Sequence, residues 1–209
     1  PLRIVFFGFA FLFTYLNIWW VHGIHRGGSI YTSEMSKAYY LKTVGRWHIN
    51  EQDLKLLDLS DDYSGKILDA DTILRYQFNQ SKPNEALINH TTCLYLQSDS
   101  SVYTNFMVPK PNKQFEWIRA SIDVECFKDN WDTYRMTRFG IRLTKNNQEV
   151  KQNSILLDRI FHKVKKQHLY IDMKMTELNY DSIEVYFMNP KEAKSSFALS
   201  NLNLEAFNE

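Results

Sequence analysis

From Ile4 to Val21 the chain runs IVFFGFAFLFTYLNIWWV, eighteen residues without a charge and with only Thr14, Tyr15 and Asn17 as polar interruptions. At about 1.5 Å of rise per residue, such a helix nearly crosses a hydrocarbon core of about 30 Å. Trp19 and Trp20 close the run and His22, His25 and Arg26 follow at once. That order fits a membrane exit, because amphipathic rings favour the headgroup level. Residues 1–26 therefore read as a transmembrane segment. A signal peptide fits less well, since no small-residue cleavage site follows and the run exceeds the usual apolar region of about 7–15 residues. A buried core helix or strand is the third alternative.

Orientation is set by competing cues. Arg3 precedes the run while Arg26, Lys37 and Lys42 follow it, and that count places the C-terminal side in the cytoplasm. Long domains, however, translocate largely regardless of charge. The β-rich character of the rest of the chain favours the non-cytoplasmic side. The sequence opens on Pro1, so residues upstream are expected in the natural protein, and both a single anchor and the last helix of a longer membrane protein stay open.

Residues 27–53 form a connector. It opens with Gly27-Gly28-Ser29, and Met35, Ala38, Tyr39 and Leu41 then fall at helical spacing. Ser33 and Glu34 give a start signal and Gly45 a stop, which predicts a short juxtamembrane helix. His22, His25 and His48 lack the spacing of a metal motif, and interfacial histidines need no metal to explain them.

From about residue 54 the hydrophobic period becomes two. Ile118, Ala120, Ile122, Val124 and Cys126 alternate with Trp117, Arg119, Ser121, Asp123 and Glu125, the pattern of a strand with one buried face. The alternation recurs at Phe139, Ile141 and Leu143, at Leu169, Ile171, Met173 and Met175, and at Ile183, Val185 and Phe187. Turn chemistry bounds these runs at Asn146-Asn147, Asn179-Tyr180-Asp181 and Asn189-Pro190. LKLLDL, TILRYQF, the stretch around Leu94 and Leu96, VYTNFMV and FALSNLNLEAF are further strand candidates. ILLDRIFHKVKK approaches helical spacing and reads as a short helix or a bent strand. Eight or nine short strands without a long amphipathic helix among them predict an antiparallel β-sandwich over residues 54–209. Aromatic residues at 15% with only seven Gly and five Pro suit a densely packed core.

The charges nearly cancel, 25 basic against 24 acidic side chains for a net +1, so no whole-chain field favours nucleic acid. Cys93 and Cys126 are the only cysteines and form no C-x-x-C pair. They read as small buried strand residues or, in an oxidising compartment, as a bridge between neighbouring strands. Asn79-Gln80-Ser81 and Asn89-His90-Thr91 match the N-glycosylation acceptor pattern, which matters only in a eukaryotic secretory setting.

A first strand LLDLSDD, the long WIRASIDVECF strand, then YIDMKM, IEVYFMNP and a closing FALSNLNLEAF together resemble the galactose-binding-like β-jelly-roll domains, a carbohydrate-binding-module-like group. The resemblance covers roughly residues 54–209. It implies a jelly roll, glycan binding on a loop face, and a structural calcium between the first and last strands. Asp58, Asp61 and Asp62 are the matching calcium ligands from the first strand. The last strand departs from the pattern, with Asn201 and Asn203 where acidic oxygens are expected.

No nucleophile elbow, phosphate-binding glycine loop or zinc spacing occurs, and the paired acids Asp61-Asp62 and Asp69 with Asp71 read as a solvated face. The candidate glycan site is the polar loop KDNWDTYR: Trp131 and Tyr134 as stacking platforms, Asp129 and Asp132 as hydrogen-bond partners. The competing reading packs Trp131 over a sheet edge. The sequence thus describes a membrane-anchored, non-catalytic module meeting a glycan, the cell envelope or another protein. The alternative is a C-terminal accessory domain of a larger polytopic membrane enzyme, glycosyltransferase-like, with its chemistry upstream.

Overall fold

The computed structural model describes residues 2–25, 37–47, 53, 56, 61, 63–67, 70–80, 84–128, 135–161 and 165–209, and divides them into two compact units, residues 1–58 and 59–209. In the first unit, α1 runs Leu2–His25 and α2 runs Lys37–Thr43. α1 is long and apolar enough to cross a membrane. Its apolar side chains, Ile4, Phe6, Phe7, Phe9, Phe11 and Phe13 among them, are exposed, the inverse of a core helix. α2 ends as the sequence predicts: Gly45 takes the left-handed conformation (φ 76°) that terminates helices. The expected start at Ser33 lies outside the described residues.

The second unit holds ten strands among the described residues: β1 Ala70–Tyr76, β2 Glu85–Ile88, β3 Thr91–Leu96, β4 Val102–Pro109, β5 Trp117–Lys128, β6 Arg138–Lys145, β7 Gln148–Leu156, β8 Lys166–Lys174, β9 Ser182–Asn189 and β10 Ser196–Phe207. One turn of helix, α3 (Leu157–Ile160), follows β7. They build two antiparallel sheets, a β-sandwich. The six-stranded sheet has the order β2-β3-β10-β5-β8, with β1 also paired to β10, and the four-stranded sheet has the order β4-β9-β6-β7. β10 pairs with β5 along its length, while its other side is shared by β3 and β1.

Every step from β3 to β6 and from β7 to β10 changes sheet. Two hairpins remain. β2–β3 turns at Asn89-His90 and β6–β7 at Asn146-Asn147, and all four turn residues have positive φ (49° to 63°). Two such residues in succession match the right-handed strand twist, and Asn tolerates that conformation.

The core lies between the sheets. Ile118, Ala120, Ile122 and Val124 of β5 face Phe139, Ile141, Leu143, Ile183, Val185 and Phe187 of the other sheet, all fully buried. Phe139 and Phe187 stack with centroids 5.0 Å apart. Each large side chain contributes roughly 1.5–3 kcal/mol by leaving water. The alternation read from the sequence is thus the core itself. ILLDRIF is both of the things it resembled, the end of β7 followed by α3. The LKLLDL candidate lies almost wholly outside the described residues.

Neither cysteine is in a disulfide. Cys93 and Cys126 sit on β3 and β5, which flank β10 rather than each other, so the bridge between neighbouring strands does not form. Burial pushes the Cys93 thiol up, so it is protonated and inert at neutral pH.

Asp61 closes the sandwich where β7 meets β8. Its Oδ2 accepts from Lys151 Nζ, from the Lys174 backbone N–H at 3.0 Å and from Asn153 Nδ2 at 3.2 Å. Asn153 Nδ2 also donates to the Asp172 carbonyl at 2.7 Å. Burial pushes the Asp61 carboxyl up, but the three donors outweigh it and hold the group below its ordinary value. A depressed folded value adds stability above the unfolded pKa of about 3.9 that is lost as pH falls through the folded value. Asp61→Asn is therefore expected to be less stable at neutral pH. Its deficit should shrink as pH drops below about 4, read from urea midpoints across that range; a deficit constant with pH would contradict the assignment.

Candidate functional site

β10 carries an extra residue. Its register with β5 shifts between Ser200 and Asn203, and Asn201 adopts a left-handed φ of 56°. This β-bulge lets Leu199 and Leu202, three apart, both enter the core, while Ser200, Asn203 and Glu205 face outward. A bulge bends its strand. On the outer face of the six-stranded sheet an open groove of about 690 Å³ follows, lined among others by Arg75, Arg119, Ser121, Tyr170, Asn203 and Glu205.

The register sets these side chains in rows across four strands. Arg75, Asn203, Ser121 and Tyr170 stand opposite one another on β1, β10, β5 and β8. Thr72, Glu205, Arg119 and Asp172 form the next row. Asp172 is buried, and Arg119 grips it with two bonds, Nε to Oδ1 at 2.6 Å and a terminal nitrogen to Oδ2 at 2.8 Å. The bonds to Asp172 raise the Arg119 pKa against the pull of burial. The guanidinium lies 4.2 Å from the Tyr170 ring centroid and 5.8 Å from that of Phe207. Tyr170 is thereby held in place while 51% of it stays exposed.

At one end of the groove Asp123 orients two partners, accepting from Asn201 Nδ2 at 2.7 Å and pairing with His168 Nδ1 at 2.8 Å. Burial raises the Asp123 carboxyl, but these bonds and the charge of His168 bring it below its ordinary value. At the other end Tyr63 packs on Trp117 and Phe207, with centroids 5.2 and 5.0 Å away. Trp117, buried, donates from Nε1 to Glu209 at 3.1 Å, and is therefore a structural ring rather than a platform.

Several polar groups in the groove have capacity left over. Asn203 Nδ2 donates to Glu205 at 2.7 Å, yet its buried Oδ1 has no partner among the described residues. Hydroxyls of Ser121 and Tyr170 and the exposed guanidinium of Arg75 add donors beside it. A buried amide oxygen without a donor costs about 1–3 kcal/mol, which a ligand hydroxyl placed there removes.

The outer face of the four-stranded sheet is closed by comparison. Tyr186 lies flat over Gly140, opposite it on β6, and is 1% exposed. Buried Glu184 accepts from Tyr103 Oη at 2.6 Å and Asn105 Nδ2 at 2.7 Å, and Arg142 lies 3.4 Å away. Burial and the hydrogen bond to Glu184 push the Tyr103 phenol up to about 12, so it remains a donor at any ordinary pH. A Cβ on Gly140 would stand 2.3 Å from the Tyr186 ring. Gly140→Ala is expected to cost about 1–3 kcal/mol by lifting a ring that has nowhere to go, checked by denaturant unfolding; a neutral effect would mean that the ring is free to move.

The expected sites meet the structure unevenly. Trp131, Tyr134, Asp129 and Asp132 lie outside the described residues, as do Asp58 and Asp62. Asp61 is described, and its Oδ2 is engaged by Lys151, Lys174 and Asn153 rather than open to a cation. Among the described residues no group of three acidic, His or Cys side chains is placed to hold a metal. The groove escaped sequence reading because its residues come from four strands. The visible signal was the polar half of the long alternating strand, Arg119, Ser121 and Asp123.

No family model matches the sequence. Nor does any curated protein match it significantly. Among solved structures the chain is similar to a family 16 carbohydrate-binding module, at 11% identity over 55% of this chain and 76% of that one, with a TM-score of 0.41. It is also similar to the xylan-binding CBM22-1 domain of a Paenibacillus barcinonensis protein, at 12% identity over 67% and 97% of the two chains, TM-score 0.37. A CBM2 module from the evolved Dit protein of Lactobacillus casei phage J-1 matches at 9% identity over 67% and 97%, TM-score 0.42.

Proposed function

We propose that this protein is a membrane-anchored, non-catalytic recognition module that binds a glycan in the groove on the outer face of its six-stranded sheet. The observation that carries the reading is the pairing, in one open groove, of a half-exposed tyrosine ring fixed by Arg119 with the unsatisfied acceptor Asn203 Oδ1 and the polar side chains in rows beside it. Sugars present apolar C–H faces and many hydroxyls, so they are met by rings and by amide, hydroxyl and guanidinium groups together. A volume of several hundred Å³ is within the range that holds small ligands, and an open shape admits a chain.

Ser121 and His168 line the groove and Asp123 bonds His168 from beside it, the residue types of a nucleophilic triad. Asp123 does orient His168, but Ser121 donates no bond to that imidazole, which is the contact that would activate it. This supports recognition rather than hydrolysis. α1 supplies the anchor, and the sandwich is placed on the non-cytoplasmic side, where glycans and envelope proteins are met.

The test is a glycan array probed with the full chain in detergent micelles, with folding verified by circular dichroism. The reading predicts retention on one structural class of glycan. No retention by folded protein would leave protein assembly as the role of the module.

A further inference from the structure

The connector following α1 is hydrogen-bonded to the helix itself. Tyr15 Oη donates to the Gly45 carbonyl and Trp19 Nε1 to the Arg46 carbonyl, both at 2.6 Å. The Trp47 ring stands 6.1 Å from Tyr15 and 5.0 Å from His22, edge-on to both. Tyr15, Trp19 and His22 are spaced i, i+4, i+7, so they form one stripe on α1, and the end of α2 with residues 45–47 lies along it. Lys42 and Arg46 pair with Asp53 at 3.1 and 3.8 Å in the same unit.

A charged cluster fastened beside Trp19 is incompatible with hydrocarbon at that level. The boundary of the apolar region therefore falls near Trp19, where the two tryptophans close the apolar run. From Arg3 to Trp19 the helix rises roughly 24 Å, and the exposed phenylalanines of α1 lie within that stretch. Around the boundary stand Trp20, Tyr40, Leu41 and Trp47, with exposures of 54, 40, 63 and 45%. Tryptophan and tyrosine at the end of an apolar helix are the composition of a headgroup belt.

We infer that α2 and the turn after it form a second membrane contact, an interfacial collar in which Tyr40, Leu41 and Trp47 enter the lipid headgroup region beside Trp20. The occupant is a lipid bilayer surface, because the collar is bonded to the helix whose apolar face needs the same bilayer. This inference rests on the anchor reading above. The collar fixes the depth of α1.

The test attaches an environment-sensitive fluorophore at Leu41→Cys in the full chain, with Cys93 and Cys126 replaced by alanine and folding verified. Leu41 enters none of the bonds above, so the label leaves the collar intact. Phe9→Cys marks the hydrocarbon and Leu87→Cys, on the exposed edge strand β2, marks water. The protein is reconstituted in phosphatidylcholine vesicles carrying a nitroxide either near the headgroup or deep in the acyl chain. The collar predicts that the residue-41 label is shielded from aqueous iodide and quenched about twofold more by the shallow nitroxide than by the deep one, as for a segment buried about 5–10 Å. A chain that floats with the vesicles while its residue-41 label behaves like the residue-87 label would overturn the collar and keep the anchor. A chain that does not float would overturn both.

Discussion

Arg119→Ala is expected to destabilise the sandwich by about 3–5 kcal/mol. Asp172 is 1% exposed, and Arg119 is the cation in contact with it. Removing the guanidinium leaves a buried carboxylate with the Tyr63 N–H at 3.3 Å as its remaining side-chain-directed donor among the described residues. An uncompensated buried charge is the costly half of a broken ion pair. For a domain of about 150 residues the loss corresponds to a fall in melting temperature of roughly 6–20 °C. The paired replacement Arg119→Met with Asp172→Leu separates charge from packing, and should recover most of the loss because neither charge is then stranded. If the single variant melts within a degree or two of the wild type, the pair is solvated and the groove floor is not rigid.

Tyr170→Ala carries the second large effect, on binding rather than on stability. The ring is half exposed, so truncation should change unfolding by no more than about 1 kcal/mol. Glycan affinity should fall roughly tenfold or more, since about 1.4 kcal/mol of lost contact is a factor of ten and central rings dominate recognition surfaces. Tyr170→Phe keeps the ring and loses only the hydroxyl, and is expected to lie between the two. Equal losses in both variants would instead make the hydroxyl the contact that matters.

The layered fold was legible because burial of one sheet face imposes a period of two. Ile118 to Val124, Phe139 to Leu143 and Ile183 to Phe187 were expected as inward faces and are fully buried. Two strands were not expected. β2 is four residues long, and the outer part of β7, Gln148 to Val150, is exposed, so neither shows alternation. The paired positive-φ turn at Asn146-Asn147 was visible as turn chemistry, whereas Asn89-His90 was read only as part of a glycosylation pattern.

The groove was harder to see. Arg119 and Asp172 are 53 residues apart and meet only through the register of β5 with β8. The bulge at Asn201 interrupts the alternation of β10, and nothing in FALSNLNLEAF says which asparagine is the extra residue. The sequence drew attention to Trp131 and Tyr134 because loop aromatics announce themselves locally. A ring such as Tyr170, on a strand flanked by apolar residues, does not.

The most direct test of the glycan-binding groove is a calorimetric titration of the full chain with the glycan selected on the array, run beside Tyr170→Ala and Trp131→Ala, all three verified as folded. The groove predicts saturable binding by the wild type and by Trp131→Ala, and a loss of roughly tenfold or more in Tyr170→Ala. Wild-type affinity in Tyr170→Ala, with binding lost in Trp131→Ala, would contradict the groove and place recognition on the loop.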